Sequence, residues 1–264
     1  GVCCGGRTRG IVPRFGLGRL MPTLRLDLEY DGARFAGWAA QPGLRTVEGV
    51  LRDALVKVLG APADELRVAG RTDAGVSARA QVVSATTTAV LDPRRLLQAI
   101  NGTLPDDVAV RAVSEAPAGF DARTDARSRA YEYRVLQGVP SPLRRRHVLN
   151  LSWTLDVPAM RVAAAAIVGQ HDFRAFTPSK TQHRFFERTV TVCDWIARED
   201  ELVLVIEANA FLRHMVRSLV GSMILVGRGH WEVERFIRLL DGAPRAAAGP
   251  TAPPYPLTLV AVRY

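Results

Sequence analysis

A single carboxylate, Asp73, lies between two glycines in the run Ala69-Gly70-Arg71-Thr72-Asp73-Ala74-Gly75-Val76, directly after a stretch that reads as a strand. Glycines at both ends permit backbone dihedrals that a Cβ forbids and let a ligand come close. Arg71, two residues away, supplies a cation, and a neighbouring guanidinium favours the ionised form of a carboxylate. An ionised, positioned aspartate can act as a nucleophile or as a general base. The same Gly-x-x-Asp-x-Gly pattern describes an ordinary turn in which Asp caps a backbone N–H. Residue chemistry alone leaves both readings open.

Two further residues pose the same choice. Tyr131 alternates with Tyr133 and Val135 along a predicted strand, so it is either a core tyrosine or an aromatic able to stack on a flipped base. Arg217 shares a predicted helix with Met215, Leu219 and Met223 and reads alone as a helix-surface cation. That helix is expected to begin at Asn209-Ala210-Phe211, and its N-terminus beside Arg213, His214 and Arg217 suits a phosphate.

The longer run AGRTDAGVSARAQVV resembles the signature of the TruA family of tRNA pseudouridine synthases, whose pattern is close to GRTDAGVHA-x-x-QVV. Other blocks follow in the family's order: Tyr30-Asp31-Gly32, Phe35-Ala36-Gly37-Trp38, Thr46 to Leu51, Leu104 to Val108, Phe120-Asp121-Ala122-Arg123 and Arg129-Ala130-Tyr131-Glu132-Tyr133. His171-Asp172-Phe173, Ala208 to Arg217, and Thr251-Ala252-Pro253-Pro254 through Leu257, Leu259 and Val260 complete the resemblance, which runs from residue 22 nearly to the end. Three positions depart from it: Ser77 and Arg213 stand where His is usual, and Ala39 where Gln is usual. These bear on RNA contact and on which uridines are chosen more than on the reaction.

The resemblance implies that Asp73 is the nucleophile, that Tyr131 packs on the target uracil, that Arg217 pairs with the aspartate and that Leu257 lines the uracil pocket. Arg71 then either enters the position of the displaced base or forms a salt bridge with Asp73. Asn209, Phe211, Arg213 and His214 are RNA contacts on this reading, and five scattered histidines without metal spacing favour packing or RNA contact for His214 over proton transfer. Arg144-Arg145-Arg146-His147 and Arg184 to Arg188 are candidate contacts to the tRNA backbone, or solvated loops. The implied substrate is uridine 38, 39 or 40 in the tRNA anticodon arm, isomerised without cofactor or metal by a homodimer whose tRNA spans both subunits. Two other classes share some of these features: a non-catalytic RNA-binding protein with the same cleft, and an aspartate phosphotransferase using Asp73. The second lacks the additional acidic residues at short spacing that a Mg²⁺-dependent phosphoryl acceptor requires.

Elements of two kinds must position these residues. Leu24, Leu26, Leu28 and Tyr30 alternate through 23–30, the period of a half-buried strand. Val47, Val50, Leu51, Ala54, Leu55 and Val58 recur at helical spacing between a Thr46 N-cap and Gly60. Strands are expected near 65–69, 80–87 and 107–113, with a helix starting at Asp92-Pro93. The second half repeats the order: a strand at 130–137, a helix after Pro158, a hairpin of 189–197 and 202–208 around 198–201, a long helix from about 211, a short one from about 231 and a strand at 257–263. Both halves read β-α-β-β-α-β, an α+β class of two ferredoxin-like units with antiparallel sheets side by side and a cleft between them. Residues 22–113 form the first unit, 114–128 the link and 129–264 the second.

Composition is consistent with this plan. The 264 residues are 48% hydrophobic, enough for a sizeable core. Net charge is +9 from 35 basic and 26 acidic residues, and only Lys57 and Lys180 of the 35 are not Arg. A polyanionic partner fits, since the planar guanidinium binds phosphate bidentately and stacks on bases. Four unopposed arginines lie before Met21, so the remainder carries 9 − 4 = +5. Residues 1–21 read as an unstructured leader, with translation expected to start at Met21. Cys3, Cys4 and Cys193 make neither a disulfide framework nor a zinc site. No apolar run reaches membrane-spanning length and no signal peptide is apparent, which gives a cytoplasmic expectation.

Overall fold

The computed structural model describes residues 23–62, 64–87 and 92–264. The expected leader over 1–21 lies outside them. In the first half, β1 (Thr23–Tyr30) leads through α1 (Val47–Leu59) to β2 (Asp64–Val68) and β3 (Ser77–Thr86), then α2 (Pro93–Asn101) and β4 (Val108–Ala116). The second half runs β5 (Ser128–Gln137), β6 (Leu149–Leu151), α3 (Val157–Ala165), β7 (Gly169–Asp172), β8 (Glu187–Arg198), β9 (Glu201–Ala208), α4 (Met215–Gly227), α5 (Val233–Ile237) and β10 (Leu257–Arg263).

Local chemistry explains most of these boundaries. Leu24, Leu26, Leu28 and Tyr30 all turn one face of β1 into the core, while Arg25, Asp27 and Glu29 take the other. Thr46 accepts from the Gly49 N–H to start α1, and Gly60 ends it at φ +74, where a Cβ would be strained. Asp92 accepts from the Arg94 N–H ahead of Pro93, and Asp156 from the Ala159 N–H ahead of Pro158.

The strands form one sheet in the order β4-β1-β3-β10-β5-β9-β8-β7, with β2 on β3 and β6 on β5. Each half has the same internal arrangement, β4-β1-β3-β2 and β10-β5-β9-β8, so the two expected sheets meet edge to edge. At the seam β10 runs parallel to the first residues of β3, Thr258 opposite Ser77 and Leu259 opposite Ala78. β2 takes the rest of that strand, Val68 opposite Val83 and Arg67 opposite Ser84. The loop 69–76 leaves the sheet between these two pairings, and Asp73 is therefore placed at the seam. One hydrophobic core runs beneath both halves, with Trp38, Tyr133, Phe176 and Trp195 among its largest buried side chains.

Three expectations need correction. α4 begins at Met215, not near 211, because the Asn209 side-chain oxygen accepts from the Thr189 and Ala210 N–H groups and holds 209–213 as a non-helical arm. The hairpin turn is only 199–200, since Arg198 and Glu201 still pair across β8 and β9. The short strands β6 and β7 carry no periodic signal of their own and exist through pairing with β5 and β8. The connection 117–127 lies across the far face of the sheet, where Ala122 donates to Ser84 Oγ and Tyr264 donates to the Ala122 carbonyl.

Candidate active site

The loop that carries Asp73 is held through its backbone. Arg129 Nε and Nη2 donate to the Ala69 carbonyl at 2.9 and 2.6 Å, and Gln81 Nε2 donates to the Gly70 carbonyl at 2.7 Å. Tyr30 and Thr72 hydroxyls share a buried bond of 2.7 Å, and the Trp38 N–H donates to the Thr72 carbonyl. Burial pushes the Tyr30 phenol up to about 12, so it stays neutral and able to donate. Gly75 adopts φ +78 and a Cβ there would stand 2.9 Å from Pro254 Cγ, so this glycine serves both the turn and the close approach of the C-terminal segment.

Across the seam, α4 supplies the cation. Met215 and Val216 point into the core, and Arg217 lies on the open side of the first turn. Its Nε donates to the Ala252 carbonyl at 2.8 Å, while the Ala252 N–H donates to its own carbonyl. Segment 250–252 can lie this close because Gly221 has no Cβ to overlap the Pro250 carbonyl. With one edge fixed on Ala252, the guanidinium presents Nη1 to Asp73 Oδ2 at 3.1 Å; the two side chains are 14% and 23% exposed. His214, which precedes the helix at φ +62, brings Nε2 within 3.7 Å of the same oxygen. Burial pushes the His214 ring down; Asp73 opposes this, while Arg217, Arg213 and Arg245 add to it, so the imidazole is neutral near pH 7.

Tyr131 completes the group. It is 7% exposed, meets Phe211 edge to face at 5.1 Å, and its hydroxyl would lie 3.7 Å from a Cβ on Gly70. No hydrogen bond reaches that hydroxyl among the described residues. Burial above all, and then the charges of Tyr30 and Asp73, push the phenol far above its usual range and keep it protonated. Leu257 is buried at the start of β10 opposite Tyr133, as Leu259 is opposite Tyr131.

The structure thus brings Asp73, Tyr131, and the His214 and Arg217 pair at the start of α4 together from three parts of the chain. It does not bring Arg71 to Asp73: Arg71 is exposed and makes no ion pair among the described residues, because Thr72 is tied inward and the loop directs Arg71 to solvent. Asn209 is spent on its turn, Phe211 covers Tyr131, and Arg213 is exposed with its N–H on His183 Nε2. Arg144, a candidate contact to the tRNA backbone, is paired with Asp200 and Glu201.

Sequence reading missed Arg129. Its guanidinium is buried without a carboxylate partner and donates to four backbone carbonyls, those of Ala69, Arg123, Ala126 and Asn209. Burial lowers its affinity for a proton, yet arginine remains charged, and the carbonyl dipoles take the place of water. It joins the Asp73 loop to the arm that carries Phe211. The available signal was an arginine at the start of a strand otherwise rich in buried residues.

A doubled β-α-β-β-α-β sheet is the pseudouridine synthase architecture. A family model described as tRNA pseudouridine synthase matches residues 28–125 and 163–264. Over 244 residues the chain is 43% identical to tRNA pseudouridine synthase A of Frankia casuarinae, covering 91% of this chain and 89% of that one. It is 42% identical over 250 residues to the protein of the same name from Chloroflexus aurantiacus, covering 92% and 89%. With that of Citrifermentans bemidjiense it shares 40% identity over 246 residues, 92% and 98% of the two chains. The solved structure of a Cbf5-Nop10-Gar1 complex matches at 13% identity and a TM-score of 0.36, over 90% of this chain and 58% of that one, too distant to add to the assignment. The chain belongs to the tRNA pseudouridine synthase family and is an isomerase that converts uridine to pseudouridine in tRNA. Among the described residues no helix is long and apolar enough to cross a membrane.

Proposed function

We propose that the protein isomerises uridines 38, 39 and 40 of the tRNA anticodon arm, with Asp73 as nucleophile, Arg217 holding its carboxylate and Tyr131 packing on the target uracil. The observation that carries this reading is the 3.1 Å contact of Arg217 with Asp73 beside the Tyr131 ring. The reaction breaks C1′–N1 and forms C1′–C5; the hydrogen on C5 is released to solvent as a proton and N1 takes one up, so composition and oxidation state are unchanged overall. A nucleophile must hold one fragment while the uracil turns over, by attack at C6 of the ring or by chemistry at C1′. The fixed guanidinium keeps Asp73 aimed, and the protonated Tyr131 offers a flat surface without taking the proton itself. Leu257 adds an apolar wall, and Asn209, Phe211, Arg213 and His214 form the RNA-facing arm. Arg71, exposed beside the nucleophile, is free to fill the place of the displaced base. The enzyme works in the cytoplasm as a homodimer, needs no cofactor or metal, and uses halves 22–113 and 129–264 as the two walls of its cleft.

The test is tritium release from tRNA labelled with [5-³H]uridine, wild type beside Asp73→Asn, with pseudouridine positions mapped in the product. Release by wild type alone, at positions 38 to 40, is the expected result. Isomerisation by Asp73→Asn would remove Asp73 as nucleophile, and modification elsewhere would remove the anticodon-arm assignment. Bound tRNA with no release from wild type would leave an RNA-binding protein of the same fold.

A further inference from the structure

Phe185 is an aromatic ring for which the molecule has no use. It is 76% exposed, and no other ring or cation covers it among the described residues. Trp153, also exposed, carries the Arg228 guanidinium over its face at 4.3 Å. Loop mobility does not account for the exposure, since the residues around Phe185 are anchored. Phe186 packs against the core beneath Arg174, and its carbonyl accepts from the Phe173 N–H. Arg188 Nη1 donates to the Phe185 and Glu187 carbonyls, and His183 Nε2 accepts from the Arg213 N–H at 3.4 Å. Residue 186 therefore points in and residue 185 points out, on a backbone held from both sides.

Cations also gather near this ring. Several surface arginines have carboxylate partners: Arg45 with Asp107, Arg144 with Asp200, Arg161 with Asp194, Arg198 with Glu132 and Arg263 with Glu207. Arg174, over the neighbouring Phe186 ring, likewise pairs with Asp172, but four cations near Phe185 in sequence or beside His183 do not. Arg123, Lys180, Arg184 and Arg213 are exposed without an ion pair among the described residues, and Glu187 is the acid nearest in sequence. The same neighbourhood pushes the His183 ring down, by burial first and then through Arg188 and Arg123. Unpaired cations beside an open ring form a surface complementary to a polyanion with accessible bases, and not to an apolar protein face. Arg213 continues directly into His214, whose ring reaches Asp73, so this surface is the rim of the active site.

We propose that Phe185 stacks on an unpaired tRNA base flanking the target uridine while Arg123, Lys180, Arg184 and Arg213 hold the adjacent phosphates. This rests on the reading of the site given above. Stacking on an aromatic is tolerant of base identity, so the contact contributes affinity and register without choosing a sequence.

The test is steady-state and single-turnover tritium release on tRNA by wild type, Phe185→Ala, Phe185→Leu and Phe185→Trp. An exposed side chain leaves the fold intact, which thermal unfolding checks. Phe185→Ala is expected to raise KM about tenfold or more, with the single-turnover maximum within about twofold of wild type. Phe185→Trp should restore KM and Phe185→Leu should not. An unchanged KM in Phe185→Ala from an active wild type overturns this inference alone, and so does rescue by Leu equal to that by Trp, which would mark an apolar contact of another kind. A wild type that releases no tritium overturns the reading of the site and this inference with it.

Discussion

The loop after β2 and the turn after β8 occupy the same place in the two repeats, each joining the second strand of a half to its third. Each also places an aspartate near an arginine from another part of the chain, Asp73 with Arg217 and Asp200 with Arg144. The surroundings differ. The turn 199–200 is tight, Asp200 is 54% exposed, and its carboxyl, held below the usual range by Arg144, faces water. The loop 69–76 is longer, lies at the seam, and has its Ala69, Gly70 and Thr72 carbonyls fixed by Arg129, Gln81 and Trp38. An ion pair is thus not in itself a site; on the reading proposed above, immobilisation of the backbone and partial exclusion of water make the Asp73–Arg217 pair one.

That contrast is sharpest at the carboxylates themselves. Asp73→Asn should lower turnover by ~10⁴-fold or more while tRNA affinity stays within a few-fold, as expected for loss of a nucleophile and not of a binding contact. Tritium release and filter binding measure the two quantities. Arg129→Lys comes next: one ammonium cannot span four carbonyls, and losing charge-assisted bonds to buried acceptors should cost about 2–4 kcal/mol of stability. The accompanying fall in kcat should exceed the rise in KM, because the loop that aims Asp73 is loosened; a variant of full stability and full kcat would break the comparison. Tyr131→Phe keeps the ring and its packing on Phe211, so activity should remain within about tenfold of wild type. A folded but inactive Tyr131→Phe would show that the hydroxyl takes part in the reaction. Asp200→Asn should change the least: activity equal to wild type, and stability altered by less than about 1 kcal/mol in denaturant unfolding, since exposed ion pairs contribute little.

Much of the fold was legible in advance because its signals are local. The Thr46 cap, the Gly60 stop and the Asp92-Pro93 start each act within one helical turn, and the β1 alternation needs only its own residues. The start of α4 was misplaced because the competing interaction, Asn209 with the Thr189 N–H, comes from across a strand pair. Asp73, Tyr131 and Arg217 were recognisable through resemblance to a family, since residue chemistry alone left each of them two roles.

The sequence by itself determined the doubled β-α-β-β-α-β order, the glycine-flanked carboxylate and the excess of arginine, all of which depend on composition or on spacing within a few residues. The family resemblance already paired Arg217 with Asp73; only the tertiary structure decided that Arg71 makes no such pair. Arg71 is two residues away and faces solvent; Arg217 is 144 residues away and makes the contact. It also assigned Arg129 to four carbonyls and left Phe185 uncovered. These outcomes depend on where β10 inserts between β3 and β5, and that pairing joins residues far apart in the chain, whose proximity no local pattern encodes.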